Sequence, residues 1–362
     1  MGTIVARPRR DRTVAYMAQI AIKRDGFAAV RETRTFDRKA AAETWIRNRE
    51  GELAEPGALA GAATRRKATL GDAIERYIAD SRSKIGKTKR QVLAAIKGHA
   101  LSEKPCERIA SVDIVDWAKE LRGRMQPQTV ANYFSHLRAV FAVARPAWGY
   151  ALDAQAIADA AKVTQRLGLT GKSRHRQRRP TLDELDRLMA HFGAARRRRP
   201  ASAPMQAIVA FALFSTRRQE EITRIAWADL DREGSRILVR DMKHPGQRVG
   251  NDQWCDLPPE ALRIALSMPQ TGEAIFPFTT DAIGAAFTRA CDFLEIEDLR
   301  FHDLRHEGVS RLFETGRTIP QAAAVSGHRS WSSLKRYAHL RQTGDKYAGW
   351  PWLDVIAPRE GS

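Results

Sequence analysis

The stretch that decides the fold is Ser326–Leu340, which reads Ser-Gly-His-Arg-Ser-Trp-Ser-Ser-Leu-Lys-Arg-Tyr-Ala-His-Leu. Its tyrosine, Tyr337, comes nine residues after the histidine of a Gly-His pair, His328. A phenol has a pKa of about 10 and is a poor nucleophile near neutral pH. It becomes a usable nucleophile when cations and hydrogen-bond donors stabilise the charge that develops on its target. Whether Tyr337 can react therefore depends on the groups that the rest of the chain supplies.

Two upstream motifs supply such groups. The first, Thr216–Ile222, reads Thr-Arg-Arg-Gln-Glu-Glu-Ile, and the second, His302–His306, reads His-Asp-Leu-Arg-His. Guanidinium groups are permanently charged and planar, so they match the oxygens of a phosphodiester better than a lysine ammonium does. Two arginines, two or three histidines and a late tyrosine together predict attack on a phosphodiester.

The order of these motifs resembles the tyrosine recombinases, the phage integrase family. The resemblance is strong over about residues 175–345 and weaker upstream. It implies a catalytic set of two arginines, one lysine, two histidines and the tyrosine, namely Arg218, Lys243, His302, Arg305, His328 and Tyr337. It also implies two supporting residues, Glu221 and His306.

The resemblance assigns a role to each of these side chains. Tyr337 attacks the phosphorus and leaves a 3′-phosphotyrosyl link and a free 5′ hydroxyl. Lys243 is the general acid for the leaving oxygen, and His302 is the acid/base partner of the phenol. His328 donates a hydrogen bond to a phosphoryl oxygen, and Glu221 holds another side chain of the site in place.

The sequence departs from the family pattern at three positions. Thr216 stands where the family usually has glycine, so the local turn is expected to differ. Arg217 competes with Arg218 for the catalytic role, and the spacing to the residues that follow favours Arg218. The residues that match only in that register are Glu221, Ile222, Trp227 and Asp229. Glu307 replaces a small hydroxyl residue, with a consequence that the sequence does not reveal.

Several other functions fit part of the pattern. The same chemistry would serve a Xer-like or transposon resolvase, or a type IB topoisomerase, and a decayed site would leave a non-catalytic DNA-binding regulator. His302 and His306, four residues apart, could share a metal, but the sequence offers no third ligand. We expect neither a metal nor a cofactor. ATP is not needed because the covalent link conserves the bond energy, and no Gly-x-x-x-x-Gly-Lys-Ser/Thr loop occurs.

The composition predicts a polyanionic partner. The 362 residues include 61 basic and 42 acidic side chains, which gives a net charge of +19. Five basic residues and no acidic one lie in Lys172–Arg179, which suits a linker that clamps a duplex. We expect double-stranded DNA with attachment sites as the partner. The resemblance adds a homotetramer on two duplexes and an accessory DNA-bending or directionality factor.

The composition also predicts a cytoplasmic protein that does not enter the membrane. The longest apolar run, Ile208–Phe214, is too short to span a bilayer. The three cysteines are widely separated and fit no zinc spacing.

The periodicity predicts a mainly α multidomain chain. Residues 1–62 form a small β-sheet plus helix module, because residues 13–23 alternate with period two. This module is either an accessory DNA-binding module or a structural cap. Residues 68–166 form an all-α core-binding domain, with Thr69 as the cap of its first helix. Residues 175–345 form a mixed α+β, mostly helical catalytic domain, whose first helix is capped by Thr181.

Residues 346–362 form a C-terminal tail that is too apolar to stay in water, since it contains Trp350-Pro-Trp-Leu353. Such a tail either docks on a neighbouring protomer or folds back on its own domain.

Overall fold

The computed structural model describes residues 2–8, 14–22, 30–54, 68–81, 85–173, 176–242 and 250–359. The chain divides into two compact units, Met1–His175 and Arg176–Ser362. The expected class, mainly α with small antiparallel sheets, is confirmed. The sequence indicates a turn at Asp25-Gly26 and a linker over residues 58–68; that turn, residues 58–67 and Lys243 lie outside the described residues. No helix in the described parts of the chain is long and apolar enough to cross a membrane.

The first unit begins with a three-stranded antiparallel sheet and a helix. The elements are β1 (Thr3–Pro8), β2 (Val14–Ile22), β3 (Val30–Phe36) and α1 (Lys39–Ala54). The predicted alternation holds on β2, where Ala18 and Ile20 are buried under α1. The outer strand β1, paired along its whole length with β2, was not predicted.

The remainder of the first unit is helical. Its helices are α2 (Leu70–Asp80), α3 (Lys87–Lys97), α4 (Ser111–Arg122), α5 (Pro127–Trp148) and α6 (Ala154–Arg166). Thr69 caps α2 in a capping box with Asp72, as predicted. The apolar stripe of α5 is core, because Phe134, Leu137 and Phe141 are all buried.

The second unit packs helices around a buried central helix. The helices are α7 (Leu182–Arg198), α8 (Met205–Ser215), α9 (Gln219–Ile222), α10 (Pro259–Leu266), α11 (Thr280–Phe293), α12 (Phe301–Glu314), α13 (Ile319–Ser326) and α14 (Pro351–Ile356). Every residue of α8 is buried except Gln206, so this helix forms the centre of the unit. Thr181 caps α7 through the backbone amide of Glu184, as predicted.

A small antiparallel sheet completes the second unit. Its strands are β4 (Leu230–Asp231), β5 (Arg236–Val239) and β6 (Gln253–Asp256), in the order β4-β5-β6. Ile237 on β5 lies opposite Cys255 on β6, and both face the core. The strand expected near Gln253–Leu257 is therefore present.

The approach of α12 to α8 is close enough to require glycine. A Cβ atom added at Gly308 would lie 2.0 Å from the carbonyl oxygen of Leu213. Without a side chain at this point, the backbones of the two helices come into contact. This contact fixes the position of α12, which carries His302, Arg305 and His306.

The C-terminal tail folds back on its own unit. Tyr347, Trp350 and Ala357 are buried in the main core of the unit. The indole nitrogen of Trp350 donates to Asp186 Oδ1 at 2.8 Å. Within the single chain these three residues are therefore covered in the fold-back arrangement, and docking of the tail on a neighbouring protomer stays a prediction.

Candidate active site

The turn after α8 separates the two neighbouring arginines. Thr216 adopts a left-handed backbone conformation with φ 58°, which is the conformation that glycine would adopt most easily. A threonine there costs about 1–2 kcal/mol. Thr216 thus holds, at a cost in strain, a conformation that glycine would adopt without strain. It directs Arg217 into the core and leaves the side chain of Arg218 27% exposed.

Arg217 is a buried structural cation. Its guanidinium donates to the carbonyls of Ser215 and Val325 and, at 3.0 Å, to Cys255 Sγ. These three partners belong to α8, α13 and β6. Arg217 therefore ties together three elements of the unit, and its guanidinium faces inward.

Arg218 is the arginine that reaches the open side of the site. Its Nη1 donates to Glu221 Oε1 at 2.5 Å, and its backbone amide donates to the other carboxylate oxygen at 3.0 Å. Glu221 is 2% exposed. Burial raises the pKa of Glu221, but Arg217, Arg305 and Arg218 outweigh this effect and hold the pKa below its ordinary value. The carboxylate is thus ionised and accepts two hydrogen bonds from Arg218, so Glu221 stays the predicted supporting residue of this arginine.

Arg305 enters the same site from α12. Its guanidinium donates to the backbone carbonyls of Thr216 and, at 3.0 Å, Ser326, and it lies 3.3 Å from His328 Nε2. Burial, together with Arg218 and Arg217, lowers the pKa of Arg305. Its neighbours therefore repel further positive charge, and an anion would relieve this repulsion.

The site has an excess of positive charge. Three guanidinium groups, those of Arg217, Arg218 and Arg305, act on one carboxylate, Glu221. An incoming phosphodiester would supply negative charge beside the buried guanidinium groups of Arg217 and Arg305, where electrostatic interactions are strong.

Gly327 brings His328 to Arg305. This glycine ends α13 with φ 69°, and a Cβ there would lie 2.7 Å from Met242 Cε and 3.1 Å from Cys255 Sγ. Both the backbone conformation and the space demand glycine. His328 follows directly, and its Nδ1 lies 2.7 Å from the hydroxyl of Ser326.

The hydrogen bonds assign His328 a role that we did not predict. Burial, Arg305 and Arg218 lower the pKa of His328 to about 3, so the ring is neutral. Arg305 can only donate, so Nε2 of His328 is the acceptor and Nδ1 carries the proton. In this state His328 orients Arg305 and has no free N–H for a phosphoryl oxygen. The predicted donor role would require Arg305 to release Nε2 when a phosphate binds.

Tyr337 meets this site through His306. Its hydroxyl lies 2.6 Å from His306 Nδ1, and its ring stacks on Phe313 at 6.1 Å between centroids. Burial raises the pKa of Tyr337. Burial, His302 and Arg336 lower the pKa of His306 to about 4. The phenol is therefore protonated and donates to a neutral imidazole.

The partner of the phenol differs from the prediction. We expected His302 in that place, but His302 is exposed and touches the edge of the His306 ring, with 4.9 Å between centroids. Both histidines lie on one face of α12, four residues apart, so the sequence could not decide which of them reaches the tyrosine. The packing of α12 against the segment that carries Tyr337 decides it.

The consequence of Glu307 is visible in the structure. Its buried carboxylate accepts from Arg179 Nε at 2.6 Å and from the hydroxyl of Tyr347 at 3.0 Å, and it pairs with Lys346 at 2.7 Å. Burial raises the pKa of Glu307, but Arg179 and Lys346 outweigh that effect and lower it. Tyr347 is thus a packing residue whose hydroxyl faces a carboxylate and not the arginine pocket.

The arginines of the predicted linker form ion pairs. Arg176, Arg178 and Arg179 pair with carboxylates of the second unit at 2.5–2.8 Å. Their guanidinium groups are engaged within the unit, and the clamping of a duplex by this basic run stays a prediction.

Lys243, whose placement lies outside the described residues, follows β5 in the sequence and remains a predicted general acid. Among the residues that the structure describes, no group of three or more His, Cys, Asp or Glu side chains is arranged to hold a metal ion.

Comparison with known proteins identifies the family. The model of the phage integrase family matches residues 178–343. A shufflon-specific DNA recombinase of Escherichia coli is 30% identical over 292 residues, which cover 76% of this chain and 70% of that protein.

Two solved structures share the fold. A lambda integrase tetramer bound to a Holliday junction matches with a TM-score of 0.57 at 20% identity, over 90% of this chain and 95% of that one. The Tn1549 transposon integrase in complex with a circular intermediate DNA matches with a TM-score of 0.55 at 13% identity, over 75% of this chain and 95% of that one. The chain belongs to the phage integrase family of tyrosine recombinases.

Proposed function

We propose that this chain is a site-specific DNA recombinase of the phage or prophage integrase type, acting on attachment sites in double-stranded DNA. One observation carries the proposal. The hydroxyl of Tyr337 lies 2.6 Å from the neutral imidazole of His306. His306 is on the same helix as Arg305, which belongs to the group of side chains with excess positive charge. The names of the relatives, a DNA recombinase and two integrases, support it.

The proposed cleavage step is a transesterification. The oxygen of Tyr337 forms a bond to the phosphorus while the bond from phosphorus to the 5′ oxygen breaks. The phenol proton passes to His306 Nδ1, and the leaving 5′ oxygen takes a proton from Lys243. The products are a 3′-phosphotyrosyl link and a free 5′ hydroxyl, and rejoining is the same step in reverse with a new 5′ hydroxyl.

The arginine pocket would stabilise the transition state. Arg218 and Arg305 face charge that grows on the non-bridging oxygens, and each such donor is typically worth about 3–4 kcal/mol. Burial is the main cause of the low pKa of His306, and a bound phosphate would offset the smaller contributions of His302 and Arg336, which makes the imidazole a better base for the phenol proton. We therefore assign the proton transfer to His306 and leave His302 as its neighbour.

The proposed working assembly is a tetramer on two duplexes. The lambda integrase of the same fold was solved as a tetramer on a Holliday junction, which is the arrangement that strand exchange requires. A resolvase or transposon recombinase of the same chemistry is the second candidate, and the transposon integrase of the same fold favours it. Incubating the protein with the DNA that flanks its own gene tests the recombinase function shared by both candidates, because recombinant junctions should form there.

The nucleophile is tested with a nicked suicide substrate, on which cleavage traps the covalent complex. The Tyr337→Phe variant should bind this DNA as tightly as the unmodified protein and form no denaturant-resistant adduct. The matched control is Tyr347→Phe, which removes the hydroxyl that faces Glu307 and should still form the adduct. An adduct with Tyr337→Phe would refute the proposal.

A further inference from the structure

The segment Arg176–Pro180 lies along the helix that carries the catalytic side chains. Arg176 makes a bidentate pair with Asp303, with Nε to Oδ1 at 2.7 Å and Nη2 to Oδ2 at 2.8 Å. Arg179 makes a second bidentate pair with Glu307, at 2.6 and 3.1 Å. Both carboxylates belong to α12 and are completely buried.

These two ion pairs bind successive turns of α12 next to the catalytic residues. Asp303 directly follows His302, and Glu307 directly follows His306. Residues four apart lie on one face of a helix, so Asp303 and Glu307 form one stripe, and the two histidines form a neighbouring one. A rotation of α12 that moved His306 would also have to break both pairs.

Arg176 also holds the segment that carries the nucleophile. The guanidinium of Arg336 donates to the carbonyl oxygen of Arg176, and it lies over the ring of Tyr337 at 5.3 Å from the centroid. Arg176 therefore contacts α12 through its side chain and the neighbour of Tyr337 through its backbone. It bridges the two elements whose separation sets the distance from His306 to the phenol.

We propose that Arg176–Pro180 is a positioning strap, in which Arg176 and Arg179 set the register of α12 against Tyr337 for the cleavage step. The inference rests on the proposed function and adds positioning residues to it. A misplacement of about 1 Å can cost about 10²-fold in rate, so such a strap would act on the chemical step more than on DNA binding.

The chain supplies a matched control within the strap. Arg178 lies between the two strap arginines, but its carboxylate partner, Glu184, is on α7, and its other acceptors are the backbone carbonyls of Arg179 and Glu297, so none of its partners is on α12. Arg178→Gln removes the same charge from the same five residues as Arg176→Gln does. The general loss of attraction to DNA is therefore equal in the two variants, and of the two only Arg176→Gln removes a contact with α12.

The experiment compares Arg176→Gln, Arg179→Gln and Arg178→Gln in the full chain. It measures DNA affinity, thermal unfolding, and the single-turnover rate of adduct formation at saturating protein, at a temperature where all three are folded. We expect Arg176→Gln to lower this rate by about 10- to 100-fold relative to Arg178→Gln, at equal DNA affinity. Arg179→Gln should lower it in the same direction.

Arg176→Lys keeps the experiment decisive if Arg176→Gln does not fold. Lysine retains the charge but cannot form the planar bidentate pair, so the rate should fall while the DNA affinity stays unchanged. Equal rates for the variants at Arg176 and Arg178 would overturn the strap. If the unmodified protein and Arg178→Gln form no adduct, the proposed function fails instead.

Discussion

At the residue scale, two adjacent arginines divide two tasks. Arg218 reaches the open side of the site and is oriented by Glu221, whereas Arg217 is buried and joins three elements. The sequence spacing identified Arg218 as the catalytic candidate but gave no task to Arg217. The position of Arg217 in the sequence could have indicated its structural task, because a charged side chain directly after an apolar helix has to find buried hydrogen-bond partners.

The division of tasks predicts that a substitution of Arg218 affects the cleavage rate and that a substitution of Arg217 affects the unfolding free energy. Arg218→Ala should lower the cleavage rate by about 10²-fold or more and leave the unfolding free energy almost unchanged, because the side chain is a partly exposed donor. Arg217→Met should lower the unfolding free energy by about 1–3 kcal/mol, because buried acceptors lose their donor.

Chemical denaturation and single-turnover cleavage measure the two quantities separately. A slow but fully stable Arg217→Met variant, together with an active Arg218→Ala variant, would show that the register is wrong by one residue.

At the element scale, the caps and periods were readable from sequence and the contacts between distant elements were not. Thr69 and Thr181 cap helices as predicted because a cap depends on residues only three positions away. The pairs of Arg176 with Asp303 and of Arg179 with Glu307 join residues 127 and 128 positions apart, which no local pattern encodes. The prediction of His302 rather than His306 as the partner of the phenol failed for the same reason.

The close contact of α12 with α8 predicts that one methyl group added at Gly308 strongly lowers the unfolding free energy. Gly308→Ala would place a Cβ 2.0 Å from the Leu213 carbonyl and should lower the unfolding free energy of the second unit by about 1–3 kcal/mol or more. Cleavage should fall as well, since α12 carries Arg305 and His306.

The control for this substitution is Gly51→Ala. Gly51 lies within α1, and a Cβ there would meet no atom within 4 Å, so the change should be neutral or slightly stabilising. Thermal unfolding followed for both units compares the two. A Gly308→Ala variant as stable as the unmodified protein would contradict the close packing of the two helices.

The segment between β5 and β6 contains the proposed general acid, Lys243. Lys243→Ala should slow cleavage by about 10²-fold or more, because the leaving alkoxide is then not protonated. A substrate with sulfur in place of the bridging 5′ oxygen should restore the rate, since a thiolate leaves without a proton.

Arg218→Ala is the control, because the sulfur substrate cannot replace a donor to the non-bridging oxygens. An equal deficit of Lys243→Ala on the two substrates would remove Lys243 from that role.

At the scale of the whole molecule, the net charge of +19 predicted a polyanionic partner. Part of the basic charge, however, is paired with carboxylates of the same chain. Three of the five basic residues in Lys172–Arg179 are engaged with carboxylates of the second unit. The first 62 residues, which contain 12 Lys or Arg and 8 Asp or Glu, remain a candidate for a second DNA contact.

Deleting residues 1–62 tests that contact. If the module binds DNA, the slope of log affinity against log salt should fall by about 2 or more, as phosphate contacts are lost. Cleavage of a short core site should persist, and integration between full attachment sites should fall. The same salt slope and the same recombination yield in the shortened protein would make the module a structural cap.

The central claim is that Tyr337 becomes covalently joined to a 3′ phosphate of DNA. Its most direct test is to trap the adduct on a suicide substrate, digest it, and locate the nucleotide by tandem mass spectrometry. We expect a peptide that carries a 3′-phosphonucleotide on Tyr337, and a released strand that ends in a 5′ hydroxyl. A nucleotide on Tyr347 or on any other residue, or a link through a 5′ phosphate, would contradict it.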